Sequence, residues 1–435
     1  MRPVSHVPDR LAVSFDDEGL VANAGLVVVA TLSARLGIAA LVNATVRMAG
    51  LVGGARPGRK VLTLVHAMVA GASHIDHADI LRAGDTGRVL GHRVMAPSTL
   101  GIFLRAFSFG HVRQLEAVVG KVLARAWALG AGPGDDRLVI DVDSTICEVA
   151  GKHKQGAAYG YTKVLGYHPI LATRADTGEI VHARMRKGSA NTARGTRRFL
   201  DELVARLRRA GAAGELVVRF DSGYWSAETL KVLARHNVRY TMAVRANTNT
   251  VAAAIAGIDE NCWTEIDYTP DGQAQVAETD YRGRRLIVRR TRLTDTRQAR
   301  LWPDWRHFAF LTDLAGDAVA LDAFHRCHAT VELAIRDLKE GAGLEHCPSA
   351  NFSANSAWLQ CAVLAHNLIR WTATIGEPVE ALTVARTLRV QLVAVPARIV
   401  NRSGRLILRL PARWPWAHRF TARLQTIRAL PVPTG

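Results

Sequence analysis

Asp143 ends the apolar run Leu138-Val139-Ile140-Asp141-Val142-Asp143 and is followed by Ser144-Thr145. Asp221 ends a second run, Leu216-Val217-Val218-Arg219-Phe220-Asp221, and Glu332 lies in a helical stretch from Val331 to Lys339. Runs of that length, rich in Val, Ile and Leu, read as buried strands. A buried strand that ends in Asp presents its carboxylate at the rim of a sheet. Two such rims and a helical Glu can hold two hard divalent cations, which take oxygen ligands. A metal pair about 3.5–4 Å apart can clamp the attacking and leaving oxygens of a phosphodiester displacement. Asp141 is the rival for the first position, since on an alternating strand it shares a face with Asp143.

The elements that must position these acids can be read around them. Residues 20–50 and 60–127 carry Ala, Leu and Val at helical spacing, so 1–130 reads as a mainly helical domain. Ser98-Thr99 reads as a helix start, and Gly110-His111 as the start of another reaching about Trp127. The breaker cluster Ala131-Gly132-Pro133-Gly134-Asp135 marks a boundary. Beyond it we expect strands at 137–143, 166–173 and 179–185, a helix at 191–209, a strand at 216–221, a helix at 226–236 and a strand at 238–244. From Asn247 the pattern changes to alternating, turn-punctuated segments, a β-rich insertion over 247–315. Helices resume at 320–341 and 354–373, within a region bounded at 316–375. The remainder, 376–435, holds two Val/Ile/Leu runs separated by Arg402-Ser403-Gly404.

The 435 residues, 49% hydrophobic, are enough for a large core. With 56 Lys and Arg against 38 Asp and Glu, the formal charge is +18, which calls for a polyanionic partner, nucleic acid first. After Glu380 there are ten arginines, no lysine and no acidic residue, so the C-terminal region reads as a basic strip for a phosphate backbone. Five scattered cysteines without a CxxC pair argue against a disulfide framework or a structural zinc. No signal-peptide core and no long apolar window occur, which points to a cytoplasmic protein with no membrane segment.

Asp143, Asp221 and Glu332, taken with their contexts, resemble the catalytic triad of the DDE transposases of bacterial insertion sequences. Asp143-Ser144-Thr145 matches that family's Asp-x-Thr pattern, and Phe220-Asp221-Ser222-Gly223-Tyr224 matches its second-Asp context. Glu332 and Lys339 keep the Glu-x6-Lys part of a Tyr-x2-Arg-x3-Glu-x6-Lys signature. The 110 residues between Asp221 and Glu332 fit the branch with a β-rich insertion. The resemblance covers roughly 131–375. It implies a ribonuclease-H-like (retroviral-integrase-like) α/β core in two parts, 131–246 and 316–375. It further implies two Mg2+ ions, with Mn2+ able to substitute, on Asp143, Asp221 and Glu332. The expected activity is cleavage of terminal inverted repeats and their joining to target DNA, by a homodimer that holds both ends.

The chain departs from the signature where His325 and His328 stand at the Tyr and Arg positions. In the family those positions are similar to DNA-end contacts, so His325, His328 and the adjacent Arg326 are candidates here, with Lys339 as a phosphate contact. A charged imidazole would make end binding weaken between about pH 6 and 8. Arg186 and Lys187 lie in a Gly-containing turn ahead of a helix carrying Arg194, Arg197 and Arg198, a ready anion site. Trp263, Trp302 and Trp305 suit base stacking by chemistry, with core packing favoured for each singly. Two other readings stay open: a nuclease of the same core that cuts without joining, and a DNA-binding regulator without catalysis.

Overall fold

The structure is a computed structural model that describes residues 8–160, 162–268, 272–293, 305–376 and 383–432. A short strand β1 (Leu20–Val21) precedes helices α1 (Leu26–Arg35), α2 (Ile38–Thr45), α3 (Pro57–Val69), α4 (Thr86–Leu90), α5 (Pro97–Arg105) and α6 (Phe109–Ala126). Helix α5 begins with Pro97 in its first turn rather than with a Ser or Thr cap, because proline's fixed φ suits a helix start. Helix α6 is capped by Ser108, whose side chain accepts from the His111 amide.

Next come β2 (Leu138–Ser144), β3 (Cys147–Glu148), β4 (Ala158–Tyr159), β5 (Leu165–Tyr167), β6 (Ile170–Arg174), β7 (Ile180–Arg184), α7 (Thr196–Ala210), β8 (Leu216–Phe220), α8 (Ala227–Arg235) and β9 (Arg239–Val244). The β-rich segment supplies α9 (Asn249–Ala256), β10 (Thr264–Glu265), β11 (Gly272–Asp280), β12 (Arg285–Leu293) and β13 (Arg306–Thr312). The chain continues with α10 (Ala318–Arg326), α11 (Val331–Gly341), α12 (Phe352–Thr374), α13 (Ala385–Leu388), β14 (Ala397–Arg402), β15 (Arg405–Arg409) and α14 (Ala417–Ala429).

One nine-stranded sheet runs in the order β10-β11-β12-β13-β9-β8-β2-β6-β7. Strands β2, β8 and β9 are parallel neighbours, and β6 and β7 follow antiparallel on the other side of β2. The β-rich segment continues this sheet, because β13 pairs antiparallel with β9 along Ala309↔Val244 to Thr312↔Thr241. The segment is therefore joined edge to edge with the parallel strands.

The N-terminal helices likewise share a core with the sheet. Helix α12 is buried on every side from Ala354 to Thr372, so it needs cover all round. Helices α1, α3, α5 and α6 cover it on one side and β7 on the other. Its polar residues serve the open edge of β7: the Asn367 amide accepts from Ile180 N and donates to Ile180 O, both at 2.9 Å. Asn367 thereby occupies both backbone groups that Ile180 would offer to another strand. The C-terminal region also folds. Strand β14 pairs with β1 at Leu20↔Arg398, and Ser403 and Gly404 turn the β14–β15 hairpin with φ of 52° and 77°. Two positive φ values are what a two-residue type I′ turn requires. Among the described residues no single helix is long and apolar enough to cross a membrane.

The loop after β7 passes tightly over the small β3-β5-β4 sheet. A Cβ placed on Gly188 would lie 2.1 Å from the Gly166 carbonyl oxygen and 2.3 Å from that of Ala158. Backbone cannot yield as a side chain tip does, so we expect Gly188→Ala to cost about 1–3 kcal/mol or more. Urea unfolding of the variant beside the parent measures this, and an unchanged midpoint would contradict the packing described.

Candidate active site

The acids come together through strand register. Val142 pairs with Phe220 across the parallel β2–β8 ladder, so Asp143 and Asp221 follow side by side at the same rim. Asp143 Oδ1 accepts from Ser144 N at 2.6 Å, and Asp221 Oδ1 accepts from Gly223 N at 2.9 Å, capping the turn Ser222–Tyr224. Both carboxylates are partly buried. Burial raises the Asp143 pKa from 3.8 to about 6, with the neighbouring charges of Asp221 and Glu332 adding to the rise. The Ser144 amide and His328 offset part of it. Burial also raises Asp221. Glu332 is exposed on the first turn of α11, close enough to be felt by Asp143.

One pleat below, on the same face, Asp141 and Arg219 form a fork pair, with Nε to Oδ1 and Nη2 to Oδ2 both at 2.7 Å. The two side chains are 1% and 3% exposed. His328 Nδ1 also meets Asp141 Oδ1 at 2.7 Å. The oxygens of Asp141 are thus engaged by Arg219 and His328, which leaves Asp143 as the carboxylate at the rim. Arg219 does more: it donates to the Phe324 carbonyl at 2.8 Å and to that of Cys327 at 3.3 Å. Those carbonyls belong to the junction between α10 and α11, so Arg219 ties the helix bearing Glu332 to the strand leading to Asp221. This residue was not singled out from the sequence. The signal available was a matched pattern, Asp141 two residues before Asp143 and Arg219 two before Asp221.

His168, on the loop after β5, joins its Nε2 to Ser144 Oγ at 2.8 Å and its Nδ1 to the Ala190 carbonyl at 2.7 Å. It steadies the residue after Asp143 from the third side. Three carboxylates form a hard oxygen donor set. Among the described residues, however, no three His, Cys, Asp or Glu side chains stand close enough together to hold a metal ion in this arrangement. Burial is the largest cause of the raised Asp143 pKa, with the charges of Asp221 and Glu332 adding to it; a bound cation would offset both, and in that sense the donors fit one.

The candidate DNA contacts fare differently. Lys339 Nζ donates to the Ile146 carbonyl at 3.1 Å, closing α11 onto the loop that follows β2. His325 lies against the sheet, stacked on Phe310 with ring centroids 4.3 Å apart and bonded to Thr241 Oγ1 at 2.7 Å. Burial first, then the charges of His328, Arg219 and Arg289, hold its pKa down to about 3. The expected loss of imidazolium charge between about pH 6 and 8 is therefore corrected for His325, which is neutral throughout that range. Arg326 pairs with Asp322 at 2.9 Å and lies over the Tyr268 ring.

Arg186 turns inward, where it donates to the carbonyls of His168 at 2.8 Å, Thr192 at 2.8 Å and Arg194 at 3.1 Å. It staples the loop, while Lys187 stays exposed. Lys187, Arg194 and Arg198 border a hollow of about 270 Å³ beside that staple. Trp263 and Trp305 hold the Arg290 guanidinium between their rings, at 4.1 Å and 4.5 Å, so those faces are occupied. Trp302 lies outside the described residues.

A family model described as Transposase DDE domain group 1 matches residues 5–432. No curated protein matches the chain. Among solved structures, a cryo-EM piggyBac transposase synaptic complex with hairpin DNA aligns at 11% identity and a TM-score of 0.44, over 95% of this chain and 83% of that one.

Proposed function

The chain belongs to the family Transposase DDE domain group 1, and on that premise we propose that it cuts the ends of a mobile DNA element and joins them to target DNA. Membership makes it a DNA transposase, an enzyme of phosphoryl transfer on DNA. The finer reading assigns catalysis to Asp143, Asp221 and Glu332. The observation that carries it is the side-by-side delivery of Asp143 and Asp221 by neighbouring parallel strands, with the Asp143 carboxyl raised to about 6.

We read β9-β8-β2-β6-β7 as a ribonuclease-H-like half-sheet, a reading supported by its strand order and its single reversed strand, β6. Asp143, Asp221 and Glu332 would hold two divalent ions, Mg2+ or Mn2+, which when bound supply Lewis acidity at the attacking and leaving oxygens. The chain's own residues do the positioning. Arg219 and His328 hold Asp141 and so keep the face below the acids neutralised. His168 fixes Ser144, and Lys339 locks α11 against the loop beyond β2. Partial burial of the two aspartates limits water around the reacting phosphate, which strengthens every charge interaction there. No covalent protein–DNA intermediate is needed. A homodimer would bring two such sites into register on one target.

The test is an incubation of the protein with Mg2+, a labelled duplex carrying the terminal repeat that flanks the coding region, and a supercoiled plasmid. The expected product is labelled end joined to plasmid. Cut ends without joined product would favour the nuclease, and bound but intact ends would favour the regulator.

A further inference from the structure

We propose that Arg245 and Tyr159 form a nucleotide subsite beside Asp221, holding the phosphate and base next to the bond that is cut. The inference rests on the transposase reading and assigns two residues not otherwise used by it.

Three neighbouring parallel strands end at one rim. Strands β2 and β8 deliver Asp143 and Asp221, and β9 ends at Val244, immediately before Arg245. In open α/β sheets, ligands bind outside the carboxyl ends of such strands. A cleft of about 570 Å³ opens there, with Tyr159, Asn191, Thr192, Asp221, Gly223 and Arg245 in its wall. That lies in the range of roughly 300–1,000 Å³ found for small-ligand sites. Its floor is tight: a Cβ on Gly223 would come within 2.8 Å of the Thr192 side chain.

Charge argues for the role of Arg245. The arginines within β8 and β9 have carboxylate partners: Asp141 for Arg219, and Glu215 and Asp313 for Arg239. Arg245 is exposed and its side chain has no such partner among the described residues. Two aspartates alone would repel an anionic backbone, and a cation one strand away gives the neighbouring phosphate a place to sit. The Tyr159 ring, 65% exposed at the cleft mouth, offers a face for the attached base. Its strand is steadied by the close crossing of Gly160 over the Gly188 carbonyl, where a Cβ would meet oxygen at 2.8 Å.

The experiment compares the parent protein with Arg245→Ala, Arg245→Lys and Tyr159→Ala. Each full-length variant binds a fluorescein-labelled duplex carrying the terminal repeat, in EDTA, over a range of salt. We expect Arg245→Ala to bind about tenfold more weakly. Its slope of log K against log salt should flatten by about 0.9, the loss of one phosphate contact. Arg245→Lys keeps the slope, and Tyr159→Ala weakens binding without altering it. With Mg2+, Arg245→Ala raises KM and leaves kcat near the parent value. An Arg245→Ala protein with the parent affinity and slope, alongside a parent that cuts, overturns the subsite and leaves the transposase reading intact. A parent that binds the repeat yet never cuts it overturns the reading beneath.

Discussion

Asp143→Asn should give a folded protein that binds DNA ends and neither cuts nor joins them, with single-turnover cleavage down about a thousandfold or more. The same change should stabilise the protein without divalent ions. Burial, then the charges of Asp221 and Glu332, lifts the Asp143 pKa from 3.8 to about 6. The native state therefore binds this proton more tightly than the unfolded chain does. Ionisation costs stability, fully above pH 6 and not at all below about 3.8. At 1.36 kcal/mol per pKa unit the cost at pH 8 is on the order of 3 kcal/mol. Urea unfolding in EDTA should show the variant ahead of the parent at pH 8 and level with it near pH 3.5. Adding Mn2+ should raise the parent's midpoint and leave the variant's in place. A variant that still joins ends would remove Asp143 from the chemistry.

Arg219→Ala should be the most damaging single change away from the rim. It leaves Asp141, 1% exposed, as a buried charge without its fork partner. Breaking a buried pair by deleting one member costs about 3–5 kcal/mol. It also frees the Phe324 and Cys327 carbonyls at the α10–α11 junction, so Glu332 loses its anchor to β8. We expect a large drop in the urea midpoint and cleavage lost even where the variant stays folded. The double change Asp141→Asn with Arg219→Met removes both charges and should recover much of the stability. An Arg219→Ala protein as stable as the parent would show that this pair does not hold the site together.

Much of this arrangement was legible in the residues. The runs that end in Asp143 and Asp221 became β2 and β8, and the helix expected at 354–373 is α12, Phe352–Thr374. Gly404 between two apolar runs became a hairpin turn, because its φ is one that glycine tolerates. What escaped depends on partners far away in the chain. Periodicity marks strands but not their neighbours, so the joining of β13 to β9 could not be read. Nor could a buried α12 announce that the N-terminal helices cover it.

The helix expected at 320–341 breaks at Cys327–Thr330 into a 3-10 turn, where Arg219 takes the Cys327 carbonyl. That break puts Glu332 in the first turn of a new helix. Arg186 read as a phosphate ligand by its neighbours in sequence. The loop it staples would otherwise bury several carbonyls without donors, and a guanidinium can serve them at once.

The most direct measurement is an anomalous diffraction experiment on crystals of the protein with Mn2+ and a DNA end. Manganese peaks ligated by Asp143, Asp221 and Glu332, with Asp141 still held by Arg219, are the expected result. Manganese bound elsewhere, or a Glu332 carboxylate left outside the coordination sphere with DNA in place, would contradict the site.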